Sequence, residues 1–201
     1  MEQTIFGGTY GKSMKDYFQA LQKSIAVQLE KLLQKGATKE NATKEIREMF
    51  LLPLFKFDIK NATIVDNHSD NYEKVNFGGQ VKNILKKSYS YSIPFSGEPK
   101  LLTFRPETFH GSSIVGEIST NYDTEQSILT VRFNSEQNNQ ENFEHEKSQS
   151  IGELTANANE ANKEIEKWND TEMNSVIQTL YDKVASHVAE TKSFNERNKI
   201  K

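Results

Sequence analysis

From Asn134 to Lys201 the chain contains no proline, and Gly152 is the only glycine inside the tract. Almost every residue there suits a helix, so the chain is expected to end in one long helix of one or two segments. Ile151, Leu154, Ala158, Ala161, Ile165 and Trp168 recur at steps of three and four, the spacing of a heptad seam. Val176, Leu180, Val184, His187, Thr191 and Phe194 extend that seam beyond a polar stretch at Asn169 to Glu172. A seam of this kind must be covered. A straight helix of about 30 residues spans about 45 Å, longer than a domain built from the roughly 130 preceding residues is wide. Part of the tract is therefore expected to project and to meet a second copy. This predicts a homodimer through the helix, with Leu154, Ala158, Ala161, Ile165 and Trp168 at its interface.

The preceding residues change grammar twice. Ser13, with Asp16 three residues on, reads as a helix N-cap, and Met14, Tyr17, Phe18, Leu21, Ile25, Leu29, Leu32 and Leu33 form one stripe that Gly36 ends. A second helix is expected from Lys39 to Phe50, with Ala42, Ile46, Met49 and Phe50 on one face before Pro53. Together the two make an N-terminal helical hairpin. From Phe55 to Phe133 alternation and aromatic residues take over, which predicts a central antiparallel sheet. Tyr89, Tyr91, Ile93 and Phe95 share one face of a strand that Pro94 should end or place at an edge. Ile114 to Ser119 and Ile128 to Phe133 pair as a hairpin around Asn121-Tyr122-Asp123, Leu101 to Phe104 suggests a short strand, and Gly78-Gly79 suggests a turn. The expected class is α+β, with a core over residues 1–134 that includes the N-terminal helices and a helical segment over 135–201.

Composition removes whole chemistries. The chain of 201 residues has no cysteine, which excludes disulfides, thiolate metal sites and cysteine nucleophiles. No apolar run reaches the ~18 residues of a membrane span, and Met1 to Lys12 lacks the order of a secretory signal, so no membrane association and a cytoplasmic location are expected. A net charge of −3 supplies no global field that favours nucleic acid.

No catalytic motif stands out. His68, His110, His145 and His187 are scattered, and Glu144-His145-Glu146 diverge around a helix instead of converging on an ion, so neither metal nor cofactor is expected. Gly7-Gly8 and Gly78-Gly79 lack the spacing of phosphate-binding loops, and Ser112 and Ser113 beside His110 are not in a nucleophile elbow. The chain reads as a non-enzyme. One basic and aromatic segment, with Lys82, Lys86, Lys87, Tyr89 and Tyr91, could join Arg105 in a groove that tracks phosphates and stacks bases. Alternating tyrosines otherwise pack a sheet.

The stretch from Ile93 to Phe109 is the most distinctive. Pro94, Phe95, Gly97, Leu101, Arg105, Pro106, Thr108 and Phe109 match a Pro-Phe-Thr-Gly-x-x-x-Leu-Phe-x-x-Arg-Pro-Ser-Thr-Phe pattern. In this the chain resembles a bacterial family of poorly characterised proteins whose α+β N-terminal region can precede a restriction-endonuclease-like domain. Trp168 stands at the place of that family's aromatic residue in the long helix. Ser96 and Glu107 depart from the pattern, and the Asp…Glu-x-Lys nuclease core is missing. Physically the same stretch is a corner: Gly97 turns the chain, Pro99 and Pro106 fix it, and Phe95, Phe104 and Phe109 anchor it.

The expected function is a non-catalytic binding or assembly module with a protein partner. The resemblance implies a bacterial system, anti-phage or restriction-associated. The second expectation, less favoured, is a nucleic-acid-binding accessory or sensor of a nuclease, using Lys82, Lys86, Lys87 and Arg105.

Overall fold

The computed structural model describes residues 3–7, 12–111, 114–121, 126–136 and 140–198. The elements are β1 (Gln3–Ile5), α1 (Met14–Gln34), α2 (Lys39–Phe50), β2 (Lys56–Phe57), β3 (Thr63–Phe77), β4 (Gln80–Ser96), β5 (Ile114–Asn121), β6 (Gln126–Glu136), α3 (Gln140–Lys167) and α4 (Met173–Arg197). The class is α+β: a helical hairpin, a curled antiparallel sheet and a long C-terminal helix. No helix among the described residues is long and apolar enough to cross a membrane.

The N-terminal helices form where their caps dictate. After α1, Gly36 N–H bonds to Leu33 C=O and Ala37 N–H to Leu32 C=O, the paired bonds of a Schellman motif. Thr38 then caps α2 by accepting from Asn41 N–H. On α2 only Ala42 and Ile46 are buried; Met49, expected on the same face, is exposed.

The sheet runs β1-β5-β6-β4-β2, with β3 also pairing β4. β5 and β6 form the expected hairpin, Gly116 opposite Val131 and Ile118 opposite Leu129; Tyr122 and Asp123 of its expected turn lie outside the described residues. β3 and β4 are joined at Gly78-Gly79. Positive φ at both glycines, 57° and 90°, makes the two-residue turn that matches strand twist, and Asn76 Oδ1 accepts from Gly79 N–H at 2.9 Å.

Pro94 neither ends β4 nor lies at an edge. It sits opposite Ile128 of β6, and on its other side its carbonyl accepts from Asp58 N–H. On that side β2 stops at Phe57 and β3 starts only at Thr63, so the N–H that proline lacks falls where the partner strand changes. Leu101 to Phe104 is no strand either. Pro99 to Thr103 form a 3-10 helix, because Pro99 presets the first turn and Glu98 Oε1 accepts from Lys100 N–H.

The chain divides into two compact units, one of residues 1–14 and 54–162, the other of 15–53 and 163–201. This differs from the expected division at residue 134. Unit assignment follows packing: the N-terminal helices build a core with residues 163–201, where Phe18 stacks on Trp168 at 5.1 Å and 5°. Trp168 is fully buried in that core; its Nε1–H meets no acceptor among the described residues. In the same unit Asn169 holds Leu52, accepting from its N–H and donating to its C=O at 3.0 and 2.8 Å.

In the sheet-bearing unit, alternation places Tyr91, Ile93 and Phe95 of β4 with Leu129, Val131 and Phe133 of β6 on one buried face. Helix α3 contributes Leu154 to this core, and Phe143 meets Tyr89 at 4.8 Å and Phe133 at 5.7 Å. Asn157 and Asn162 are helix side chains used as backbone mimics. Asn157 accepts from His110 N–H and donates to His110 C=O at 2.8 and 2.9 Å. Asn162 does the same for Phe55 at 2.7 and 2.9 Å.

A π turn at Trp168–Glu172 joins α3 to α4, with Met173 N–H bonded to Trp168 C=O five residues back. Thr171 Oγ1 donates to Lys167 C=O and Asn174 Nδ2 to Asp170 C=O around this turn. The extra residue shifts the seam. Burial steps by five from Trp168 to Met173, then to Ile177 and Val188, instead of running through His187, Thr191 and Phe194, which are exposed.

Candidate binding surface

The residues expected at a dimer interface are already covered in the single chain: Leu154 is 1% exposed, Ala158 3%, and Ala161, Ile165 and Trp168 0%. The seam expected to meet a second copy is thus filled by its own chain. The seam is shared between two cores, Leu154, Ala158 and Ala161 in one unit and Ile165 and Trp168 in the other.

The proposed basic and aromatic groove does not assemble. Successive strand residues point to opposite faces, so Lys82 and Lys86 lie across the sheet from Lys87, Tyr89 and Tyr91. Tyr91 is buried and Tyr89 is enclosed by Phe133 and Phe143. Lys86 and Lys87 are half-buried, while Lys82 is exposed. Arg105 belongs to the corner: its N–H bonds to Lys12 C=O, its C=O accepts from Met14 N–H, and its exposed guanidinium lies 4.9 Å from the Phe109 ring.

The rest of the corner behaves as a structural element. Gly97 has φ +132°, and a Cβ there would meet the Phe55 ring at 2.5 Å. Phe95 and Phe104 are buried, as is Pro106; Phe109 is only half-buried. Phe6, Phe55, Phe57 and Phe95 form a chain of ring contacts at 5.5 to 6.3 Å.

Other polar groups stay dispersed. His110 Nε2 lies 3.7 Å from Glu160 Oε1, and Glu144 pairs with Lys147 at 2.6 Å. Among the described residues no three His, Asp or Glu side chains gather as metal ligands. Ser112 and Ser113 lie outside the described residues. In the helical unit an open groove between α2 and α4 is lined by Lys39, Lys44 and Arg47 beside Glu40 and Glu48, so its charge is mixed.

One feature escaped the sequence reading. β4 meets β6 only from Lys86, opposite Glu136, onward, yet it pairs β3 down to Gln80 opposite Phe77. From Gln80 to Leu85 the strands form a two-stranded ribbon. Pro94 turns its backbone groups toward β2 and β3, so by alternation Gln80, Lys82 and Ile84 serve β3 while Val81, Asn83 and Leu85 face the side β6 has left. That edge is open among the described residues for about 20 Å, at ~3.3 Å per residue. Val81 is 64% exposed, and Lys82 and Asn83 are exposed beside it. Gly78-Gly79 signalled the turn, but the register shift between Asp66 and Asp70 hid the strand leading into it.

Comparison with known proteins adds no relative: no family model matches the chain, and neither a curated protein nor a solved structure is detectably similar. The bacterial resemblance rests on its residues alone.

Proposed function

We propose that this chain is a non-catalytic binding module that engages a protein partner through the β3–β4 ribbon. The observation that supports it is the continuation of β4 from Gln80 to Leu85 beyond its last pair with β6. A strand edge with unpaired N–H and C=O groups is a ready template for another chain. The scattered polar groups favour this reading over catalysis, because no nucleophile, base and oxyanion donor converge among the described residues.

Shortening the hairpin, by joining Asn71 to Lys86 through an Asn-Gly turn, tests the reading. Every β4–β6 pair is kept, so the variant should melt within a few degrees of wild type. A displayed library of extended peptides should then yield binders that wild type holds and the shortened variant does not. Binding to labelled DNA or RNA that weakens steeply with salt and disappears in Lys74→Glu/Lys82→Glu would overturn the reading in favour of nucleic acid.

A further inference from the structure

The open edge has chemistry specific enough to name its occupant, and on the binding-module reading above we infer that β4 takes an extended acidic peptide as an added strand along Val81, Asn83 and Leu85. Each of these residues turns both a backbone donor and a backbone acceptor to the open side. A phosphodiester offers acceptors only and would leave the strand carbonyls unanswered; a peptide strand answers both, with main-chain bonds providing affinity.

Charge selects among peptides. From Lys74 to Leu85 the ribbon carries Lys74 and Lys82, both exposed, and no acid, with Lys74 opposite Asn83. A second copy of the same edge would set these lysines against their own kind, and edge lysines discourage such like-with-like pairing. A strand with Glu or Asp at alternate positions places its carboxylates on one face, where they lie beside Lys82 instead. Tyr91 is buried and Tyr89 packs against Phe133 and Phe143, so neither is offered to bases at this edge.

The test uses the full chain and three synthetic ten-residue peptides: one alternating Glu with Val and Thr, one with Lys for every Glu, and one acidic peptide N-methylated at alternate residues. Binding is read by fluorescence anisotropy and by amide hydrogen exchange at Val81, Asn83 and Leu85. The acidic peptide should bind and slow exchange at these amides. The lysine and N-methylated peptides should bind at least tenfold more weakly, and Lys82→Glu should weaken the acidic peptide about fivefold. Asn83→Pro removes an edge N–H that β3 does not use, so it should keep the fold and abolish binding; the N-methylated peptide makes the same cut without altering the protein. Equal binding of acidic and lysine peptides, or binding that survives N-methylation, overturns the inference. If the acidic peptide fails while library binders of other composition still need the ribbon, this inference falls and the binding-module reading stands; if nothing ribbon-dependent binds, both fall.

Discussion

At the scale of single residues, asparagine is the working part of the long helix. Asn162 satisfies both backbone groups of Phe55, a residue 4% exposed, so Asn162→Ala leaves a buried donor and acceptor unmet. The expected cost is ~2–4 kcal/mol in chemical denaturation, from two lost bonds and the desolvation of what remains. Asn162→Asp separates geometry from polarity. A carboxylate can accept from Phe55 N–H but opposes Phe55 C=O, whereas the protonated acid can donate to it. The folded-state pKa of this Asp is therefore raised above its unfolded value, and the variant should gain stability relative to wild type as pH falls through that folded pKa. A deficit that is constant from pH 7 to 4 contradicts the clamp. The corner offers a second comparison: Phe95→Ala should cost ~3–5 kcal/mol and half-buried Phe109→Ala under about 1.5 kcal/mol in the same measurement. None of the asparagine clamps was legible, because Asn157, Asn162 and Asn169 fit a polar helix face and their partners are backbone groups, which leave no mark on side-chain pattern. Phe95 was legible by alternation; Phe109, outside any regular element, was not.

At the scale of elements, α1, α2 and the β5–β6 hairpin follow directly from caps and periodicity, with exposed Met49 the one residue of the α2 stripe that leaves its face. Phase is lost at two places. The register shift between Asp66 and Asp70 breaks the alternation that would have marked β3, and the π turn at Trp168 breaks the three-and-four step of the long helix. Both are insertions, and a period search assumes none. The π turn has a direct test. Deleting exposed Asp170 should convert it to ordinary helix while keeping Met173 and Ile177 on the buried face, at a cost under ~2 kcal/mol. Deleting Thr179 inserts no compensation and rotates all that follows by about 100°, carrying Val188 out of its core. Thermal melts of the two deletions should differ widely; equal melting temperatures would mean that the wide turn does not set the phase.

At the scale of the whole molecule, the seam that reads as a dimer contact fills the interior of a single chain. Leu154→Asp/Ile165→Asp should therefore lose cooperative unfolding, because each carboxylate enters a core with nothing to pair it. Light scattering that instead shows a folded double variant at half the wild-type mass would restore the dimer. The binding-module account depends on the edge of β4 that stays open from Val81 to Leu85 among the described residues. Amide hydrogen exchange on the free protein measures that edge directly. Val81, Asn83 and Leu85 should exchange much faster than Tyr89, Tyr91 and Ile93, which share their side of β4 but face β6; equal protection at both sets would contradict the account.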